Sequence, residues 1–266
     1  HGFRIYSNSY YNLIMNNNIS TGPSNSHAFA LENSGSQYPE YNNLTNNTIL
    51  SVSGNDLDLF EGINHTYLID QPIRDYLFTG TGGIVYFKDT TYGEIRFLEA
   101  INGTGDNLSD DIRIENNLVT VESDKKYKEG LNSSAEITLY NINYNHPIPQ
   151  FTSDGSTYYN CTGSTDPACS IISYSSETFV FNTTHFTSFR AADNGSAPVI
   201  TNIVLNSTSI YDTYEDNLTV YVEASDPDGD NITYAYWWYK DGVLNASTVI
   251  FEDLNAYWPL NDDPLD

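Results

Sequence analysis

The chain has 266 residues, a formal net charge of −25 and a hydrophobic fraction of 39%, enough apolar material for two or three domains. The acidic excess argues against nucleic acid and anionic lipid as partners, because like charges repel. No apolar run approaches the roughly 20 residues of a membrane span, and the opening HGFRIYSNSY lacks the apolar segment of a signal peptide.

Residues 1–74 are repetitive. Three stretches each begin with a short alternating strand, marked by Phe3 and Ile5, by Phe29 and Leu31, and by Leu57 and Leu59. In the first two, an Asn-Asn pair precedes Ile19 or Ile49, which gives a repeat of some 26 to 30 residues. Such a repeat must stack on its neighbours to bury its apolar face, and asparagine suits the left-handed corners.

This pattern resembles the right-handed parallel β-helix of surface proteins and carbohydrate-active enzymes, and it implies that residues 1–74 are rungs of such a helix. Because His1 falls inside a rung, we expect further rungs upstream. Enzymes of this fold place acidic residues on adjacent rungs. The acidic and basic candidates here are Arg4, Glu32, Asp56, Asp58, Glu61 and His65. They form no full glycosidase or lyase motif, so we expect Asp56 and Asp58 to lie on a solvated outward face.

Residues 75–193 contain six or more short strands joined by tight turns, which predicts a β-sandwich. The segment resembles the module that often follows β-helix segments in archaeal surface proteins. Cys161 and Cys169 flank a turn within it, and no further Cys or His lies at zinc spacing. In an exported protein this pair forms a disulfide. The alternative is two free thiols in a reducing compartment.

Residues 197–254 resemble the Ig-like, cadherin-like and polycystic-kidney-disease-type modules of extracellular proteins. An alternating strand over 219–223 leads into an acidic turn, and a strand with Trp237 and Trp238 and a KDG hairpin turn follow. We expect one of these tryptophans to pack against the opposite sheet. Residues 255–266 resemble the opening of a laminin-G or concanavalin-like module, which implies that the natural protein continues.

The acidic turn places Asp226, Asp228 and Asp230 at alternate positions, with a glycine before the last. Closely spaced carboxylates suit calcium, although the flanking helices and twelfth-position glutamate of an EF-hand are absent from the sequence. A calcium site and a bare polar turn both remain open. Catalysis is disfavoured, because a catalytic carboxyl needs an apolar pocket that raises its pKa. The other histidines, His1, His27, His146 and His185, are scattered along the sequence.

The sequence contains fourteen N-x-[S/T] sequons, against about 6 expected from the composition. They begin at Asn18, Asn43, Asn46, Asn64, Asn102, Asn107, Asn132, Asn160, Asn182, Asn194, Asn206, Asn217, Asn231 and Asn245. The excess favours an exported chain that carries N-linked glycans on turns and outward strand faces. The turn positions Asn102, Asn194 and Asn245 are the most favourable acceptors.

The sequence therefore predicts an all-β chain: C-terminal rungs of a parallel β-helix followed by two β-sandwich domains, the second of them Ig-like. The function that fits best is a structural or adhesive protein of the cell surface, which assembles with itself or with other surface proteins into a filament or surface layer. Two alternatives are a polysaccharide-active β-helix enzyme and a carbohydrate-binding surface protein.

Overall fold

The structure is a computed structural model of the chain. It describes residues 2–6, 8–22, 26–33, 38–60, 62–79, 84–207, 217–251 and 256–258. Nearly all of the regular secondary structure among the described residues is β-strand, which confirms the all-β prediction. The chain divides into two compact units, His1–Asp193 and Asn194–Asp266.

The first unit begins with ten short strands rich in β-branched, leucine and aromatic residues. In chain order they are β1 (Phe3–Ile5), β2 (Leu13–Met15), β3 (Asn18–Ser20), β4 (Phe29–Leu31), β5 (Glu40–Thr45), β6 (Thr48–Ser51), β7 (Leu57–Leu59), β8 (Asn64–Ile69), β9 (Tyr76–Thr79) and β10 (Val85–Asp89).

These strands pair in parallel along three ladders. The first ladder joins β1, β4, β7 and β9, the second joins β2, β5, β8 and β10, and the third joins β3 and β6. Phe3 pairs with Phe29 and Phe29 with Leu57, so the predicted repeats stack in the predicted phase. Strands β9 and β10 continue both long ladders, although the sequence pattern assigned them to the sandwich segment.

Left-handed residues turn the chain at one corner of each repeat. Asn16, Asn46 and Asp70 have φ angles of 56°, 48° and 46°, and each is followed by an amide side chain, Asn17, Asn47 or Gln71. Asn17 N and Nδ2 both donate to Asn47 Oδ1 at 3.0 Å, and Asn47 Nδ2 donates to Gln71 Oε1 at 2.9 Å. The amides therefore form a ladder across three repeats and satisfy buried polar groups there.

A second corner repeats this arrangement with aromatic residues. Tyr11, Tyr41 and His65 all have positive φ, and their rings stack with centroid separations of 4.9 and 4.4 Å. The next residue in the first two repeats is asparagine, and Asn12 Nδ2 donates to Asn42 Oδ1 at 2.8 Å. In the third repeat Thr66 takes this place, and its buried Oγ1 has no hydrogen-bond partner among the described residues.

The rest of the first unit is mainly antiparallel. Its strands are β11 (Gly93–Phe97), β12 (Asn102–Gly105), β13 (Ile112–Glu115), β14 (Leu118–Val121), β15 (Ala135–Leu139), β16 (Pro147–Thr152), β17 (Tyr159–Asn160), β18 (Cys169–Ser175), β19 (Thr178–Thr183) and β20 (Ser188–Asp193). A single helical turn, α1 (Leu108–Asp111), and a 3-10 turn, Glu129–Leu131, interrupt them.

The parallel and antiparallel parts share their sheets. An eight-stranded sheet has the order β18-β19-β15-β11-β10-β8-β5-β2, and it changes from parallel to antiparallel between β10 and β11. A five-stranded sheet, β1-β4-β7-β9-β12, makes the same change between β9 and β12. A third sheet, β13-β14-β20-β16-β17, lies within the antiparallel part. One hydrophobic core, from Ile5 to Ala191, runs through the whole unit.

The second unit contains five strands among its described residues. They are β21 (Val199–Ser207), β22 (Leu218–Ser225), β23 (Thr233–Lys240), β24 (Val243–Phe251) and β25 (Ala256–Trp258). Strands β21, β22 and β25 form one antiparallel sheet, and β23 and β24 form a separate hairpin. Trp237 is 59% exposed and Trp238 is half-buried, so neither tryptophan is fully buried.

Candidate functional site

The acidic turn connects β22 to β23. Asp226 Oδ1 accepts hydrogen bonds from the backbone N–H groups of Asp228 at 2.9 Å and Asp230 at 3.2 Å. Asp228 Oδ2 accepts from the backbone N–H of Ser196. Two of the three predicted calcium ligands therefore hold backbone amides, as in an Asx turn. Among the described residues, no group of three or more His, Cys, Asp or Glu side chains could hold a metal ion. Calcium binding at this turn stays a prediction.

A buried carboxyl group lies in the first unit, on the middle residue of β7. Asp58 is 2% exposed, although its strand neighbours Leu57 and Leu59 fill the core on the opposite face. Asn55 Nδ2 donates to Asp58 Oδ1 at 2.6 Å, and His27 Nδ1 lies 3.2 Å from Asp58 Oδ2. The prediction of a solvated outward face was wrong, because Asp58 is buried and its oxygens contact Asn55 of its own repeat and His27 of the preceding one.

His27 links Asp58 to Asn55. The backbone N–H of Asn55 donates to His27 Nδ1 at 3.0 Å, and the same nitrogen lies beside the Asp58 carboxyl. Burial raises the pKa of Asp58, and the Glu32 carboxylate adds to this, against the opposing effects of Asn55 and His27. Burial is thus the main cause that disfavours the ionised form of Asp58.

Two Arg–carboxylate pairs flank this group. Asp56 is 1% exposed, and Arg74 Nε and Nη2 donate to its two oxygens at 3.0 and 3.1 Å. The prediction of solvation was therefore wrong for Asp56 as well. Arg4 from the first repeat donates to Glu32 in the second. Glu61 and His1 lie outside the described residues, and His65 belongs to the ring stack at the second corner.

Sequence reasoning missed His27 as a partner of Asp58, because 31 positions separate them along the chain. The parallel register brings them together, since Ala30 pairs directly with Asp58. The signal available in the sequence was the repeat itself. Aligning the second and third strands of the repeat places HAFAL above NDLDL and so sets His27 beside Asn55.

A second buried polar group joins the parallel and antiparallel parts. Tyr76 Oη donates to Asp111 Oδ2 at 2.9 Å, and Lys128 Nζ donates to Asp111 Oδ1 at 2.5 Å. Burial and the bond to Asp111 raise the pKa of Tyr76 far above its usual value. Each polar atom here has a partner in a covered site, so this arrangement fits a structural role.

The two cysteines lie at bonding distance. The Sγ atoms of Cys161 and Cys169 are 1.98 Å apart, and both residues are buried. Cys161 follows β17 and Cys169 begins β18, so the bridge closes the loop between these two strands. The predicted pairing therefore has the required geometry.

The sequons lie mostly on accessible positions. Eight of the fourteen asparagines are exposed: Asn18, Asn46, Asn102, Asn132, Asn160, Asn194, Asn206 and Asn231. Five others are half-buried, namely Asn43, Asn64, Asn107, Asn182 and Asn217. Asn245 lies in β24, where its side chain is outside the described set, rather than in the predicted turn. Attachment of glycans stays a prediction at every one of them.

Within the described ranges, no helix combines the length and apolar character that crossing a bilayer would need. Comparison with known proteins adds no relative: no protein-family model matches the chain, and no curated protein is similar to it in sequence.

Proposed function

We propose that this chain is part of an exported, glycosylated surface protein with a structural or adhesive role. In this proposal residues 1–74 are rungs of a parallel β-helix, 75–193 form a sandwich that closes one end of it, and 197–254 form an Ig-like module. The observation that carries the proposal is the stack of short repeats joined by amide and ring ladders. Such a stack makes a long, rigid body from few residues, as a spacer or filament subunit requires.

Two further observations support the proposal. The Cys161–Cys169 pair fits an oxidising compartment, where disulfides persist. Exposed apolar side chains lie on β18, an edge strand of the eight-stranded sheet, where Ile171 is 52% exposed and Ile172 is 49% exposed. Unpaired edges of this kind are templates for pairing with another chain, as self-assembly or binding to another surface protein would require.

Immunogold electron microscopy of native cells, with an antibody against this chain, tests the proposal. We expect label on the cell exterior, arranged along filaments or across a lattice. Label confined to the cell interior would contradict it.

A second candidate function, a polysaccharide-active enzyme, is favoured by one observation. Asp58 is a carboxyl with a raised pKa, and Glu32 on the adjacent repeat is held by Arg4, so the two acids have different environments. Against this, Asp58 is almost fully covered and offers no room for a sugar. Reducing-sugar release from a panel of polysaccharides, lost in Asp58→Asn, would favour the enzyme. No release by the wild type would favour the structural role.

A further inference from the structure

One row of side chains crosses the outer face of the eight-stranded sheet. Six residues from six neighbouring strands pair in register along it: Asn43, Tyr67, Tyr86, Arg96, Glu136 and Asn182. Neighbouring strands lie about 4.8 Å apart, so adjacent members of the row are in contact range. Both end members are sequon asparagines.

The aromatic part of the row is a column of stacked groups. The rings of Tyr67 and Tyr86 stack with their centroids 4.2 Å apart and their planes 13° apart. The Arg96 guanidinium lies 5.5 Å from the centroid of the Tyr86 ring and extends the column on that side. The ring normals therefore run across the strands. The remaining face of Tyr67 is turned toward β5, where Asn43 is its paired residue.

The Tyr67 ring is held in this orientation. Burial, together with a hydrogen bond to Tyr86, raises the pKa of the Tyr67 hydroxyl to about 12. A tyrosine ring fixed by stacking and by this hydrogen bond offers a flat apolar face and a polar rim.

The Asn43 amide is arranged for attachment. Thr45, the hydroxyl residue of the same sequon, donates through Oγ1 to Asn43 Oδ1 at 2.5 Å. Within the described part of the chain, Asn43 Nδ2 makes no hydrogen bond, and this is the atom that carries an N-linked sugar. By contrast, Asn46 Nδ2 donates to Asn16 Oδ1 and Asn107 Nδ2 donates to Asp110 Oδ2.

Exposed apolar side chains flank Asn43 on its other side. Leu13 pairs with Asn43 across β2 and is 59% exposed, and Met15, paired with Thr45, is 44% exposed. Asn43 thus stands between the Tyr67 ring and an apolar strip. A pyranose ring has C–H bonds on its faces and hydroxyl groups around its edge, so it can cover both surfaces and still present polar groups to water.

We propose that Asn43 carries a glycan whose first pyranose ring packs on the Tyr67 ring and shields Leu13. This inference rests on the proposed function, since it requires an exported and glycosylated chain. The glycan would be a fixed part of the surface of the sheet. At the far end of the row, Asn182 lies between Glu136 and Ser170, two polar residues, so a sugar there has no aromatic face to pack on.

The test uses the full chain secreted from a glycosylating host, with its glycans trimmed to single ¹³C-labelled N-acetylglucosamine residues. Glycopeptide mass spectrometry reports which asparagines are occupied. NMR then measures the pyranose proton shifts at residue 43, assigned by their loss in Thr45→Ala. We expect an upfield ring-current shift that persists in Tyr67→Phe and disappears in Tyr67→Leu. The sugar at Asn182 is the internal control and should not respond to either variant.

Unshifted protons on an occupied Asn43 would overturn the proposal, since the sugar would then project into solvent. A bare Asn43 beside other occupied sequons would overturn it too, while leaving the proposed function in place. Every sequon bare in a glycosylating host would remove the proposed glycosylation and this inference together. If Tyr67→Leu fails to fold, the shift in the wild type compared with the Asn182 sugar still decides the matter.

Discussion

Replacing Asn47 by alanine tests whether the amide ladder holds the repeats together. The Asn47 side chain is almost fully buried and makes four hydrogen bonds: it accepts from Asn17 N and Nδ2, and it donates to Gln71 Oε1 and the Ile14 carbonyl oxygen. The substitution therefore removes all four and leaves their partners in a site with restricted access to water.

The expected loss follows from these bonds. Each hydrogen bond contributes about 1 kcal/mol net to the free energy of unfolding, and a buried partner left without a hydrogen bond costs about 1–3 kcal/mol. Asn17 and Gln71 are half-buried and regain some water, so the loss is less than the largest sum. We expect the free energy of unfolding of the first unit to fall by about 3 kcal/mol.

Urea unfolding followed by far-UV circular dichroism measures this loss. Tryptophan fluorescence does not suit the first unit, because the three tryptophans are residues 237, 238 and 258. The matched control is Asn18→Ala, directly after the equivalent corner of the first repeat, since Asn18 is exposed and makes no side-chain hydrogen bond within the described residues. Both proteins come from a host without N-glycosylation. Equal losses in the two variants, or a loss under about 1 kcal/mol for Asn47→Ala, would refute the ladder's role.

Three other predictions follow from the sites. Because the folded-state pKa of Asp58 is raised, the wild type should lose stability relative to Asp58→Asn as the pH rises above about 4, the unfolded value, and through the folded pKa. Urea unfolding from pH 3 to 8 measures this loss, and an opposite slope would contradict the raised pKa. Lys128→Met should lower the free energy of unfolding by about 3 kcal/mol, because it leaves the buried Asp111 carboxylate without its cation. The control Lys126→Met, at an exposed site, should lower it little, and equal losses in thermal or urea unfolding would count against the buried pair. If the acidic turn binds calcium, millimolar calcium should raise the unfolding midpoint of the second unit, as measured by tryptophan fluorescence, and Asp228→Asn should abolish the rise. A wild-type midpoint that does not respond to calcium would favour a bare polar turn.

The repeats were predictable from the sequence because stacking uses local patterns. The alternation at Phe29 and Leu31 fixes which side chains enter the core, and the Asn-Asn pairs mark the corners. The third corner escaped recognition because Asp70 and Gln71 replace asparagine there. Their chemistry is equivalent: one residue tolerates positive φ and the next supplies an amide.

The covered face of Asp58 was not predictable in the same way. Alternation tells which side of a strand faces away from the core, but it does not tell what packs over that side. His27 reaches Asp58 only through the register between two repeats, whereas Asn55 lies three residues before Asp58 in the same segment. Likewise, the bond from Lys128 to Asp111 joins segments with no shared sequence pattern, so only the folded chain reveals the pair.

The sheets that run unbroken from β10 into β11 and from β9 into β12 have a mechanical consequence. In a simple array of repeats, each layer contacts only its neighbours, and layers can peel away one at a time from an end. Here the strands of the last parallel layer, β9 and β10, also pair with the antiparallel strands β12 and β11, so this layer cannot peel off without breaking the antiparallel part. We expect a stretched molecule to resist at this junction, and the fourth layer and the antiparallel strands to exchange their amide hydrogens in one cooperative opening.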